Sequence, residues 1–394
     1  MNLSGQLLES HQAVDVNSRG TRWLTYLIFS TTLVVYYLFP IWAGIFSEHY
    51  QFKPTQVGWL LSADMLSNTI AAFSARYWIH RCAWRRIMPL TVIVVVIPNL
   101  LCAVIDSFAG FLLLRYLAGI GAGAMVAFMY AIVSASNNPD REFAYAMSAQ
   151  VFLGAICLII APWIWSSLGP EAIFVLCGIL GILPMMCFKY LPYANPLSSN
   201  IDLGTKAFSS RSGHLALLGL VGIGLFFASM NSIWSFTERI GDAQGFSMDF
   251  IARVLSVSLI FSFCGAIVPA WLAGRVSRIV VLSIGYLVLA IAITILGSDM
   301  TAPTYAVMLC LYNFFYSFVI PFQNGWIAAL DHNGRTIVLL PAVQGVGISI
   351  GPMLAGMVIT NNNYQNVAGM SVFLLMAGYV FFVFMQARAK HCHS

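Results

Sequence analysis

Apolar residues run through this chain in long blocks rather than alternating with polar ones. Twelve blocks stand out, at 22–46, 55–79, 87–106, 108–136, 142–166, 170–191, 214–238, 249–273, 279–297, 301–330, 335–359 and 366–388. A helix crossing the ~30 Å hydrocarbon core of a bilayer needs about 20 apolar residues, so each block predicts one spanning helix. The connections are mostly short and made of turn formers, as in Asn137-Asn138-Pro139-Asp140 and Asp331-His332-Asn333-Gly334. One is longer: the polar stretch from Pro192 to Gly213, rich in Ser, Pro and Asn, divides the chain near its middle. The pattern predicts an all-α membrane protein of twelve transmembrane helices. Its parts are a tail at 1–21, six helices over 22–191, a loop at 192–213, six helices over 214–388 and a tail at 389–394.

Composition agrees with a lipid solvent. The 394 residues are 60% hydrophobic and only 8% charged, with a mean hydropathy of +0.84, whereas soluble domains carry about 25% charged residues. A soluble enzyme, a DNA-binding factor and a disulfide-stapled secreted domain are excluded. The eight cysteines are scattered singly, with no CxxC pair or Cys/His cluster, so they read as small packing residues; no metal site, disulfide framework or cofactor is expected. Met1 to Gly20 lacks an apolar h-region, and no cleaved signal peptide is expected.

The net charge of +5 is distributed by side. With a cytoplasmic N-terminus, that face receives Arg19, Arg22, Arg76, Arg81, Arg85, Arg86, Arg141, Lys189, Lys206, Arg211, Arg275, Arg278, Arg335, Arg388 and Lys390. The other face receives Lys53, Arg239 and Arg253, and Arg115 lies within a span. Basic loops stay cytoplasmic, which places both termini and the central loop there, in a multi-pass protein of the cell (inner or plasma) membrane. Topology accounts for the basic excess, and no nucleic-acid partner is expected.

Shifting the chain against itself by 194 residues lays Glu48 on Asp242, Phe52 on Phe246, Ser62 on Ser256, Arg81 on Arg275, Arg141 on Arg335 and Gln150 on Gln344. Six spans lie within that shift, so both copies point the same way: a parallel repeat, related by an axis along the membrane normal.

Short motifs sharpen the picture. Between spans eight and nine, Ala270-Trp271-Leu272-Ala273-Gly274-Arg275-Val276-Ser277-Arg278 resembles the loop signature G-x-L-a-D-R-x-G-R of the major facilitator superfamily. The first-half counterpart keeps Arg81, Arg85 and Arg86; the signature's acidic position is Gly274 in one copy and His80 in the other. Arg115-Tyr116-Leu117-Ala118-Gly119-Ile120-Gly121-Ala122-Gly123 resembles the family's R-x-x-q-G-x-g-a motif, with Ala118 in place of Gln. The family's antiporter motif is partial in span five (Gly154, Ala161-Pro162). A fuller version, Gly347-Ile348-Ser349-Ile350-Gly351-Pro352 with Gly356, lies in span eleven. The resemblance covers about 22–388. It implies two pseudo-symmetric six-helix bundles around a central site, cytoplasmic gate loops at Arg81, Arg85, Arg275 and Arg278, and gradient-driven transport.

Buried polar residues are the candidates for chemistry, because a charge at mid-membrane is costly and usually marks a pathway. Asp64 lies about 13 Å into span two and Arg115 about 10 Å into span four, from the same face, at ~1.5 Å per residue. An ion pair between them is feasible if the two helices face each other. A carboxylate beside an arginine can exchange a proton as its surroundings alternate between dry and wet, so Asp64 and Arg115 are the proton-coupling candidates. Arg115 is also a candidate counter-charge for substrate. The other substrate-binding candidates are Tyr36, Asn68, Gln150, Asn231, Trp234, Tyr312, Asn313, Tyr316 and Gln344. Such polar groups are often only glue between spans.

The leading expectation is a monomeric, proton-coupled secondary transporter of a small organic molecule, with efflux of amphiphiles favoured by the many aromatics and few charges. Uptake or exchange of a small organic anion is the alternative, and a non-transporting membrane sensor or scaffold a remote one. No nucleotide-binding loop or nucleophile–base pair is present, so neither an ATPase nor an enzyme is expected.

Overall fold

A computed structural model describes residues 16–79, 82–134, 136–137, 139–192, 211–272, 275–330, 339–360 and 363–390. The expected central loop, save its ends, both outermost tail segments and Arg81 lie outside the described residues.

The first half folds into α1 (Arg19–Tyr37), α2 (Phe39–Glu48), α3 (Pro54–Trp78), α4 (Trp84–Leu101), α5 (Phe108–Ser134), α6 (Pro139–Leu168) and α7 (Glu171–Ile182), the last continued by a 3₁₀ turn, Leu183–Tyr190. The second half folds into α8 (Arg211–Trp234), α9 (Thr237–Ala243), α10 (Met248–Leu272), α11 (Arg278–Leu296), α12 (Ala302–Leu330), α13 (Leu340–Val358) and α14 (Gln365–Lys390). Ser18 caps α1, its Oγ accepting the Thr21 amide at 3.2 Å. Pro40, in the first turn of α2, ends the ladder of α1, and the two helices form one span bent by 44°.

Among the described residues ten helices are long and apolar enough to cross a membrane, and the bent α1–α2 pair is an eleventh. The twelfth expected span, α3, has 25 residues but carries Ser62, Asp64, Ser67, Asn68 and Thr69. It packs along α5 on one side and α13 on the other, so its polar stripe faces protein. Span seven ends at Trp234, and the short helix α9 follows it.

Two glycines of the Arg115 motif set the α3–α5 contact. A Cβ on Gly119 would collide with Ser67 Oγ and the Asp64 carbonyl oxygen, and one on Gly123 with the Asn68 carbonyl oxygen. The spacing of four puts both on one face, and the missing side chains draw α5 close enough to α3 to place Arg115 beside Asp64.

The two halves meet along α3–α13 and α6–α10. The 194-residue shift carries α3 onto α10 and α6 onto α13, so these two seams are symmetry copies. The span-eleven motif helps to build one of them, with Pro352 and Gly356 against Gly58 and Pro54 of α3, while Gly351 packs within the second half against the backbone of α8 at Ala228 and Ser232. Thr55 donates across this seam to the Gly356 carbonyl at 3.1 Å, and Ser256 donates across the other to the Ala155 carbonyl at 3.2 Å.

Candidate functional site

Arg115 is wholly buried inside the first bundle. Its Nη1 lies 3.3 Å from Asp64 Oδ2; its Nη2 donates to Asn99 Oδ1 at 2.9 Å and to Cys102 Sγ at 3.4 Å. The guanidinium sits 4.6 Å from the centre of the Trp42 ring and 5.9 Å from that of Phe174, a cation–π arrangement. Asn99 is itself fixed by donating to the Val95 carbonyl at 2.7 Å. These partners come from α2, α3, α4 and α7, all of one bundle. Arg115 Nε has no hydrogen-bond partner.

A second cluster spans the two bundles. Trp234 of α8 donates its Nε1 to the Tyr36 carbonyl of α1 at 3.1 Å, and the two rings stack at 6.4 Å. Tyr316 of α12 lies near Tyr36 and stacks on Phe226 at 6.0 Å. Gln150 of α6 donates to the Tyr37 hydroxyl at 3.1 Å and leaves its own carbonyl oxygen, buried, without a partner. Rings from α1, α8 and α12 and one amide from α6 thus cluster here.

The remaining candidates divide. Tyr312 donates to the Met230 carbonyl, tying α12 to α8. Gln344 donates to Asn324 at 3.3 Å, between α13 and α12. Asn68 follows Asp64 by one turn on α3, and its amide nitrogen is buried without a partner. Asn231 donates back along α8 to Phe227 at 2.8 Å and leaves its oxygen unpartnered. Asn313 turns into its own bundle, toward Ser258 at 3.0 Å. Of the gate-loop residues, Arg85 donates to the carbonyls of Leu191 and Lys189, stapling α4 to the end of span six, while Arg275 and Arg278 are exposed. Among the described residues no group of three His, Cys, Asp or Glu side chains is placed to hold a metal ion.

The sequence reading missed a charged cluster at the end of the bundles where α2 meets α9. There Arg239 pairs with Glu48 of the other bundle and, at 3.2 Å, with Asp242 on its own helix. The signal was present: the repeat lays Glu48 on Asp242, and the two carboxylates converge on one arginine.

Among the described residues, eleven apolar spans and the more polar α3 form two bundles joined along paired seams, with a buried carboxylate–arginine pair alongside, an architecture that suits a secondary transporter. The sequence profile of the Major Facilitator Superfamily matches residues 24–332, and the chain belongs to that family. Its fold is similar to that of a mutant of the nucleoside transporter NupG (TM-score 0.74, 12% identity, covering 92% of this chain and 99% of that one). It is also similar to a D-xylose–proton symporter (0.72, 14%, 92% and 96%) and to a structure described for substrate recognition in proton-dependent oligopeptide transporters (0.71, 14%, 93% and 97%). No curated protein sequence matches the chain.

Proposed function

We propose that the protein is a proton-coupled carrier that exports a small, amphiphilic, weakly charged molecule by alternating access, acting as a monomer in the cell membrane. One observation carries the substrate class. The side chains clustered where Tyr36 and Trp234 meet across the bundles, Tyr36, Tyr37, Gln150, Trp234 and Tyr316, are four rings and one amide without charge, while the Arg115 cation is engaged inside the first bundle. Aromatic faces with a few fixed amides suit an apolar body carrying one or two hydrogen-bonding groups. The proton-linked names of two structural neighbours support the proton as driving ion. In this reading Asp64 takes and releases the proton, Arg115 holds its carboxylate in place, and rocking of the bundles about the seam presents the site to one side at a time.

A second reading rests on the unpartnered Arg115 Nε, which an organic anion would satisfy. A thermal-stability screen of the purified protein separates the two, because a ligand at 100 times its Kd stabilises by about 2.7 kcal/mol. Neutral or weakly basic ring compounds are expected to raise the Tm, and Trp234→Ala to abolish the shift. Stabilisation by organic anions alone would transfer the assignment to the second reading.

The orientation proposed from the basic residues puts both termini inside and the α2–α9 end outside. An impermeant maleimide applied to intact cells is then expected to label Gln244→Cys and spare Ser198→Cys; labelling of Ser198→Cys would invert the assignment.

A further inference from the structure

Beyond the span that ends at Trp234, α9 carries a carboxyl that the transport reading does not use. Glu238 is 2% exposed. Its Oε2 has no hydrogen-bond partner and is pressed against Gly44 of α2, in the opposite bundle: a Cβ on Gly44 would come within 2.7 Å of it. The adjacent cation is already shared, since Arg239 pairs with Glu48 and Asp242 and is hydrogen-bonded to Tyr364.

We infer that Glu238 is a second proton-binding site, built into the outer closure, which binds a proton as α2 and α9 come together and releases it outward as they part. The inference rests on the reading of the chain as an alternating-access carrier with this end outside.

The groups facing Glu238 are few. Glu48 approaches from α2, Arg239 and Asp242 lie on its own helix, Tyr305 comes from α12, and Tyr364 precedes α14. Three carboxylates around one arginine would leave a net negative charge; Glu48 and Asp242 are partly open to water, whereas Glu238 is buried with its Oε2 unpartnered, so Glu238 is the one that stays protonated. Burial pushes Glu238 up to about 8; Arg239 pulls it down, while Glu48 and Asp242 push it further up. A cleft of about 310 Å³, lined by Glu48, Gln51, Phe52, Phe236, Arg239 and Tyr364 among others, reaches the ion pair from the surface, and Glu238 is not among the residues lining it. When the bundles separate, the carboxyl meets water and returns to its ordinary value near 4.5.

The linkage has a definite sign. The closed form binds the proton more tightly, so its advantage is full below about 4.5 and is lost as the pH rises through about 8. Acid outside closes the outer end, and alkali loosens it.

Hydrogen–deuterium exchange of the full chain in lipid nanodiscs, corrected for the intrinsic pH dependence of exchange, reads this without substrate or gradient. Protection of segments 44–53 and 237–246 is expected to fall several-fold between pH 5.5 and 9. Glu238→Gln, neutral at every pH, is expected to keep both segments protected throughout. His49 pairs with Glu171 within the first bundle at 3.0 Å, and His49→Gln is expected to leave the wild-type profile unchanged. Gly44→Ala, which displaces the Glu238 carboxyl, is expected to move the midpoint to lower pH and serves if Glu238→Gln does not fold. A flat wild-type profile, or a Glu238→Gln or Gly44→Ala profile like wild type, overturns the inference and leaves the ligand screen and the flux assay free to stand or fall separately.

Discussion

Arg115→Ala is expected to destabilise the protein more than any other single replacement of a spanning polar residue. The guanidinium is fully buried and joins α3 to α4 through Asp64, Asn99 and Cys102, under the ring of Trp42. Removing one partner of a buried pair leaves the other charge unpaired and costs about 3–5 kcal/mol, before any cost of the cavity. Arg115→Lys is expected to recover part of the loss, because an ammonium keeps the charge but cannot reproduce the fork that serves Asp64 and Asn99 together. The double variant Asp64→Asn/Arg115→Ala is expected to be more stable than Arg115→Ala alone, since the stranded carboxylate is gone. Thermal unfolding in mild detergent measures all three. An Arg115→Ala protein melting with wild type would show that the pair contributes nothing to the first bundle.

Much of the fold was legible because a membrane imposes one rule on every span. Lipid offers no hydrogen bonds, so each crossing must be a helix of about 20 residues, and apolar blocks of that length announce themselves. The α3 segment was readable as a span from its length and flanks, although Ser62, Asp64, Ser67, Asn68 and Thr69 make it less apolar than the rest. Their burial between α5 and α13 explains why they are tolerated. The Arg115 motif also carried structural information, because glycines four apart mark the face of α5 that approaches another helix.

What was hidden is which way a polar side chain turns. In a helix apolar on all sides, the periodicity that separates core from solvent in a soluble protein is absent. Tyr36 and Trp234 meet across the bundles, whereas Gln150 turns to Tyr37 and Asn313 to Ser258, each within one bundle, and nothing in their sequence positions separates the two cases. Equal depth made the Asp64–Arg115 pair feasible; contact required the packing at Gly119 and Gly123. The α2–α9 cluster was overlooked because Arg239 entered only as a count for orientation and Glu238 fell at the end of an expected span.

A gradient of protons is expected to drive transport through Asp64, and Asp64→Asn is expected to abolish concentrative transport. The amide keeps a hydrogen-bond acceptor for Arg115 Nη1, which lies 3.3 Å from the carboxylate, but cannot exchange a proton. The binding seam is left intact, so the variant is expected to bind ligand and exchange it across the membrane without concentrating it. A one-unit pH gradient stores about 1.4 kcal/mol per proton, enough for about tenfold accumulation at one proton per cycle. The decisive measurement is accumulation, in inside-out proteoliposomes with an acidic lumen, of a ligand found in the stability screen. Wild type is expected to concentrate it about tenfold and Asp64→Asn to reach only equilibrium while still supporting exchange; an Asp64→Asn protein that concentrates the ligand as wild type does would contradict the account.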